Sequence, residues 1–278
     1  MYLPGIMKIF DFMNTKNKIN KKKAKILIKL KKILSDTLDE KIKKYSAETE
    51  YNPFIRAIAG EKRQLESSFV HSLYTTLGMS VWEQFTKCIG DSIGLKVTKQ
   101  YQIPYSISLD TDTKINQLHQ KLERKKIPNN TEEINKQIKD FAQPGSGNID
   151  DEDKVVDIFI EDNEKNLIFI DITSPKPNIK ECKAMKLKLL RWIAIGHANY
   201  KEAKSIKAIL CMPFNPWNPK EYNHFPVKKV FDIKNDLRIQ NEFWDSIAGF
   251  KIYDNIISVF EKVGKAKIKK IEQKFKDL

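Results

Sequence analysis

Only three cysteines occur in 278 residues, Cys88, Cys182 and Cys211, and no Cys-x-x-Cys pair is among them. Neither a disulfide framework nor a cysteine-held zinc site is supported, and all three read as small buried hydrophobes. The four histidines, His71, His119, His197 and His224, form no HxH, HExxH or HNH-like group, which disfavours a histidine-bound metal. No GxxxxGK[ST] loop is present, so ATP-driven chemistry is not expected. No stretch approaches the roughly 20 apolar residues that a membrane helix needs. The start MYLPGIMKIFDF lacks a basic region followed by an apolar core and a small-residue cleavage site. A soluble cytoplasmic protein, without a membrane partner, is expected. Internal repeats are absent, and compositional bias goes no further than lysine enrichment.

What is there is globular: 41% of residues are hydrophobic and 31% charged, too apolar a mixture for disorder. A chain of this length buries a sizeable core as one large domain, or as one domain with a helical annex. The net charge of +14 suggests a polyanionic partner, and it sits at the two ends. Residues 1–45 hold 13 lysines against 4 acids, and residues 262–278 hold 7 against 2. The rest is neutral. A basic end is either a solvated helix face or a phosphate-binding surface, and composition leaves both open.

Along the chain, Ile26, Leu30, Ile33 and Leu34 recur at helical spacing among lysines, so Lys18–Tyr45 reads as a basic amphipathic helix. A second helical region spans Glu61–Cys88, with Phe69, Val70, Leu73 and Leu77 on one face and Gly78 as a possible break. Residues 112–141 are polar, with sparse apolar positions, and read as surface helices. QPGSGNIDDED, residues 143–153, is a loop. KVVDIFI (154–160) and LIFIDI (167–172) are β-rich runs separated by a polar turn, hence a β-hairpin. A helix over 179–197 and a strand over 208–212 follow, which makes the core α/β. The boundary expected from these patterns separates a basic N-terminal helical region, 1–60, from a main domain, 61–278.

Residues two apart in a strand share a face. Asp157, Phe159 and Glu161 therefore point one way on the first hairpin strand, and Phe169, Asp171 and Thr173 share a face on the second. Two aspartates 14 positions apart, each set among strand formers, can meet across the hairpin. Side-by-side carboxylates repel and are costly to bury, so the pair makes sense around a divalent cation, with Mg²⁺ suited to oxygen ligands. The bland alternative is a pair of surface aspartates on a half-exposed hairpin. After the hairpin, Lys176–Lys207 holds nine basic residues against Glu181 and Glu202, a strip that suits backbone phosphates or a solvated amphipathic helix. Three prolines, Pro213, Pro216 and Pro219, with Asn215, Trp217 and Asn218, make a rigid aromatic loop. Such a loop either reads bases or covers the end of a sheet.

A strand ending in an aspartate, a turn, then an apolar strand carrying an acid resembles the PD-(D/E)XK nuclease pattern, with Asp157 as its first acid and Asp171 as its second. IDITSPKPN, KLKLLRWIAIG, MPFNPW and NEFWDSIAG further resemble the TdeIII/MjaII group of type II restriction endonucleases, over about Phe69 to Tyr253. The resemblance implies a restriction-endonuclease-like fold: a mixed central sheet flanked by helices, with an added N-terminal helical region. It also implies Mg²⁺-dependent hydrolysis of double-stranded DNA at a short palindrome of the GGNCC type. Asp157 and Asp171 would be the metal ligands, a homodimer the active form, and a cognate DNA methyltransferase the functional counterpart. The pattern places a lysine two residues after the second acid, where this chain has Thr173. Lys176 is then the first candidate for that role, with Lys183 and Lys186 as alternatives. The family's upstream glutamate would be Glu83, or else Glu66. DNA contacts would come from Lys183, Lys186, Arg191, Asn215 and Trp217. A non-catalytic DNA-binding protein, or a repair or tRNA-processing nuclease on the same fold, are the competing readings. Recognition sequence and cut position are not spelled out.

Overall fold

The computed structural model describes residues 4–46, 52–147, 149 and 151–276. It divides into two compact units, one made of residues 1–93 with 248–278 and the other of residues 94–247.

The first unit is helical: α1 (Pro4–Lys44), α2 (Pro53–Ala59), α3 (Glu61–Thr76), a π-helical turn at Leu77–Val81, and α4 (Trp82–Ile93). The helix expected over Lys18–Tyr45 is the described part of α1 that buries Ile26, Leu30 and Leu34. The break expected at Gly78 is that π-helical turn, an inserted residue of the kind that interrupts an α-helical ladder without ending it.

The second unit is built on β1 (Lys96–Gln102), α5 (Leu109–Glu123), α6 (Thr131–Phe141), β2 (Val155–Glu161), β3 (Asn166–Ile172), α7 (Ile179–Asn199), β4 (Ser205–Met212), α8 (Phe225–Val230), β5 (Leu237–Ile239) and α9 (Asn241–Ala248). The chain then returns to the first unit as α10 (Tyr253–Lys276), which packs on α1. The expected boundary at residue 60 is therefore corrected: α3, α4 and α10 belong with α1, and the sheet unit starts near residue 94.

The five strands lie in the order β1-β2-β3-β4-β5. The pairs β1/β2 and β2/β3 are antiparallel, while β3/β4 and β4/β5 are parallel. The hairpin turn closes because the Asp162 carboxylate accepts from the N–H groups of Glu164 and Asn166, both at 2.9 Å. The parallel β3/β4 pair needs a crossover, and α7 supplies it. This helix starts on a capping box. Asn178 Oδ1 accepts from the Lys180 and Glu181 N–H groups, while Glu181 Oε2 accepts from the N–H of Asn178, satisfying donors that a helix start leaves free. Near its other end Gly196 lets the helix lie close on β4, since a Cβ there would stand 2.6 Å from the Ile206 side chain.

α5 and α6, expected as surface helices, bury Ile115, Leu118, Ile134 and Ile138 in the main core. Their sparse apolar positions are one narrow stripe that covers the sheet unit. Cys182 and Cys211 are buried as expected, and Cys88 is half-buried. Among the described residues no helix is long and apolar enough to cross a membrane.

Candidate active site

The hairpin delivers both aspartates. The β2/β3 register pairs Phe159 with Phe169 and Ile158 with Ile170; one position further, Asp157 faces Asp171. Phe159 and Phe169, on the same faces as the two acids, have ring centroids 5.0 Å apart, so the aromatic layer beneath fixes the alignment. At the end of the ladder the Ile172 N–H donates to Asp157 Oδ2 at 2.7 Å. Across the other edge of β2, Gln100 Nε2 donates to Asp157 Oδ1 at 3.4 Å.

Burial, and then the negative charge of Asp171, push the Asp157 carboxyl up to about 6 against the Ile172 N–H, the positive charge of Lys188 and the Gln100 amide. Asp171 is 6% exposed. Both effects disfavour a second negative charge in the same place. Behind them, Cys211 lies opposite Ile172 in β4, and burial raises its thiol well above the ordinary range, which makes it an inert neighbour.

Asp171 has a cationic partner in Lys188, whose Nζ lies 2.5 Å from Oδ1 and 5.0 Å from the centre of the Trp192 ring. These side chains share one face of α7, four residues apart. The same helix holds the approach to β2. Trp192 Nε1 donates to the Asp153 carbonyl at 2.6 Å, and Arg191 reaches the carboxylates of Asp153 at 2.5 Å and Asp112 at 3.1 Å. Two carboxylates and one ammonium thus converge on the end of a hairpin, with their helix braced against the strand that carries the first acid.

The other expected residues lie elsewhere. Lys176 sits 5.2 Å over the Trp217 ring and makes no ion pair with either aspartate among the described residues. Lys183 pairs with Glu123 at 3.1 Å. Lys186 is buried against Asp236 at 2.6 Å, each side chain 3% exposed. A buried, paired lysine cannot meet a phosphate, and Arg191 is likewise turned inward, so the expected DNA contacts of these two are replaced by internal ion pairs. Asn215 spends its amide within its own loop, with Nδ2 donating to Lys220 O and Oδ1 accepting from Trp217 N–H. That loop is tied to the SPKPN segment, because the Tyr222 hydroxyl donates to Pro175 O and His224 Nε2 lies 2.7 Å from Pro177 O. Glu83 is buried on the opening turn of α4 and belongs to the first unit; the aspartates belong to the second.

Residues 17–264 match the family model of the type II restriction endonuclease HinfI. The chain belongs to this family. Among curated relatives, the type II restriction enzymes HgiEI and HgiCII of Herpetosiphon aurantiacus are 26% and 28% identical over 240 and 244 residues, in each case 85% of this chain and 86% of the relative. The type II restriction enzyme MjaII of Methanocaldococcus jannaschii is 28% identical over 198 residues, 66% of this chain and half of the relative. No solved structure matches. The resemblance to the group containing MjaII, drawn from the hairpin and the segments around it, agrees with these matches, and the family is one of site-specific deoxyribonucleases.

Lys188, the lysine that meets Asp171, was not among the residues expected from the sequence. Three lysines, 183, 186 and 188, lie within two turns of one helix, and at 100° per residue Lys186 and Lys188 point about 200° apart. Only the position of the helix on the sheet tells which of them meets the hairpin. A weak sequence signal exists in Lys188 and Trp192 at i, i+4, an aromatic face for the lysine stem.

Proposed function

We propose that this enzyme hydrolyses one phosphodiester per strand of double-stranded DNA at a short palindrome, of the GGNCC type implied by the family resemblance, using Mg²⁺ held by Asp157 and Asp171. The observation that carries the reading is the meeting of the two carboxylates across one hairpin, with the Lys188 ammonium on the second. The residues fit the ion. The donors are oxygens, and Asp157 is held above its ordinary value by burial and by Asp171, a repulsion that a divalent cation relieves. Among the described residues no group of three or more His, Cys, Asp or Glu side chains is placed to hold a metal ion. Mg²⁺ suits a site with one or two carboxylates because it keeps waters and takes phosphate oxygens as its remaining ligands.

Bound there, Mg²⁺ supplies charge stabilisation at the phosphate and acidifies the attacking water. The protein supplies the rest. Asp157 is oriented by the Ile172 N–H, and Asp171 is held in the buried strand. Lys188 takes the role expected of the lysine absent at Thr173: its ammonium stands beside the reacting phosphate and offsets the negative charge that develops there. Lys176, stacked on Trp217 at the C-terminal ends of β3 and β4, contacts the DNA outside the scissile phosphate. A palindrome presents two scissile phosphates related by a two-fold axis, so a homodimer with one site per subunit is the working form. A cognate methyltransferase would protect the host's own copies of the sequence.

The test is plasmid cleavage in Mg²⁺. Discrete bands are expected from the parent protein and none from Asp171→Asn, with duplex binding kept in both. Cutting by Asp171→Asn would overturn the assignment of the metal site, and a smear or structure-dependent cutting would overturn site specificity.

A further inference from the structure

The β1/β2 ladder pairs Lys96 with Glu161, Val97 with Ile160, Thr98 with Phe159 and Lys99 with Ile158, then resumes with Tyr101 opposite Val156 and Gln102 opposite Val155. The omitted position is Gln100, opposite Asp157. Its backbone has φ +46°, the left-handed region that residues with a Cβ seldom enter and that strand interiors do not use. The register is the same on both sides of it, so no extra residue forces the turn and the conformation is not that of a bulge. The side chain it carries reaches Asp157, with Nε2 donating to Oδ1 at 3.4 Å, while the Ile172 N–H holds the other oxygen of the same carboxylate at 2.7 Å. β1 is an edge strand, where the backbone can turn out of the ladder without breaking a pairing on its other side.

We propose that Gln100 is a positioning residue for the metal site: β1 departs from strand geometry at this one position in order to aim a neutral amide donor at the first metal-binding carboxylate. With Ile172 N–H on Oδ2 and Gln100 on Oδ1, the carboxylate plane is fixed from two sides, and a lone pair of each oxygen remains for the cation. A neutral donor adds no second cation beside that of Lys188 on Asp171, and so leaves the charge of Asp157 for the metal. Backbone strain persists where the surrounding structure enforces it, and it collects at functional sites. Partners of metal ligands act by orienting them, and their loss weakens metal affinity or activity about 10–100-fold. The inference rests on the reading of Asp157 and Asp171 as the metal ligands.

Two variants separate the amide from the backbone. Gln100→Gly relieves the left-handed conformation and removes the amide, while Gln100→Met keeps both the chain length and the strain and removes only the donor. Full-length protein is assayed for thermal midpoint without metal, for the Mg²⁺ concentration that half-raises that midpoint, and for Mg²⁺-dependent cleavage. Both variants should need about 10–100-fold more Mg²⁺ in both metal assays. Without metal, the glycine variant should melt at or above the parent and the methionine variant at or below it. Parental Mg²⁺ dependence in either variant would overturn the positioning role, and a glycine variant less stable than the methionine one would overturn the claim of strain. Asp171→Asn is run alongside: Mg²⁺-dependent cutting there would remove the metal site itself, a different failure from the two above.

Discussion

Replacing Asp157 by asparagine should make the metal-free protein more stable at neutral pH, although it deletes a half-buried charge with two hydrogen-bond donors. Its carboxyl is raised from 3.8 to about 6, first by burial and then by Asp171. The folded chain therefore binds a proton that the unfolded chain has released, throughout the interval from about pH 4 to about pH 6. Stability falls as pH rises through that interval, because there the native state carries the extra proton. Above about pH 6 the full cost of the charge is present. The rise from 3.8 to about 6 is about a hundredfold in proton affinity, or about 3 kcal/mol. The carboxylate is only partly buried, and solvent screening reduces this to roughly 1–2 kcal/mol. Asparagine keeps an oxygen for the Ile172 N–H and never ionises. Urea unfolding in EDTA, at steps from pH 4 to pH 7.5, should show Asp157→Asn ahead of the parent by roughly 1–2 kcal/mol at pH 7.5 and level with it near pH 4. With Mg²⁺ added, the parent should recover and the variant should not. A variant that is less stable at pH 7.5, or a difference that ignores pH, would refute the view that burial and the Asp171 charge together hold this carboxyl above its ordinary value.

Lys188→Met should bind duplex DNA normally and cut it about 10²–10³-fold more slowly, as expected when a fixed charge at the reacting phosphate is lost. In the same single-turnover assay Lys176→Ala should lose less than about tenfold, and the reverse ranking would return the role to the SPKPN loop. Lys186→Met leaves Asp236 buried without its cation and should cost about 3–5 kcal/mol in urea melts; a loss under about 1 kcal/mol would mean that Thr131 and the Asp232 N–H, which also bond Asp236, suffice to hold it. On α1, Lys18, Lys22, Lys25, Lys29 and Lys32 form an exposed stripe that flanks the buried Ile26, Leu30 and Leu34. Changing Lys22, Lys25 and Lys29 to glutamine should reduce the salt slope of duplex binding by about 0.9 per lysine. An unchanged slope would make the stripe a solvated face.

The hairpin was readable because its signals are local. Two β-rich runs, a turn with Asp162 at its head and period-two alternation place Asp157 across from Asp171 without knowledge of the rest. α7 was equally plain from its regular apolar pattern after SPKPN. The lysine that pairs with Asp171 was not, because which lysine reaches the hairpin depends on how α7 lies across the sheet. The loop prolines made Lys176 attractive for stiffness, yet stiffness placed it on Trp217. β1 and β5 carry little sequence signal for another reason: KVTKQYQ is an edge strand with little apolar content, and LRI is too short to show alternation. The return of α10 to the first unit is a contact across more than two hundred residues, which no window of sequence displays. Nothing in the sequence marks Gln100, since a left-handed glutamine has no compositional signature.

The ties from Tyr222 and His224 to the carbonyls of Pro175 and Pro177 bear on any attempt to give this enzyme a new target sequence. If the aromatic loop after β4 reads bases, it is the natural segment to exchange, but it is also tied to the segment that leaves the β2/β3 hairpin. A graft that ends before residue 222 would leave both anchors in place and alter only the tip. One that runs through residue 224 would carry the brace away with the loop, and loss of cutting would then be mistaken for failure to recognise the new site. The junction of a chimera therefore belongs between Lys220 and Tyr222.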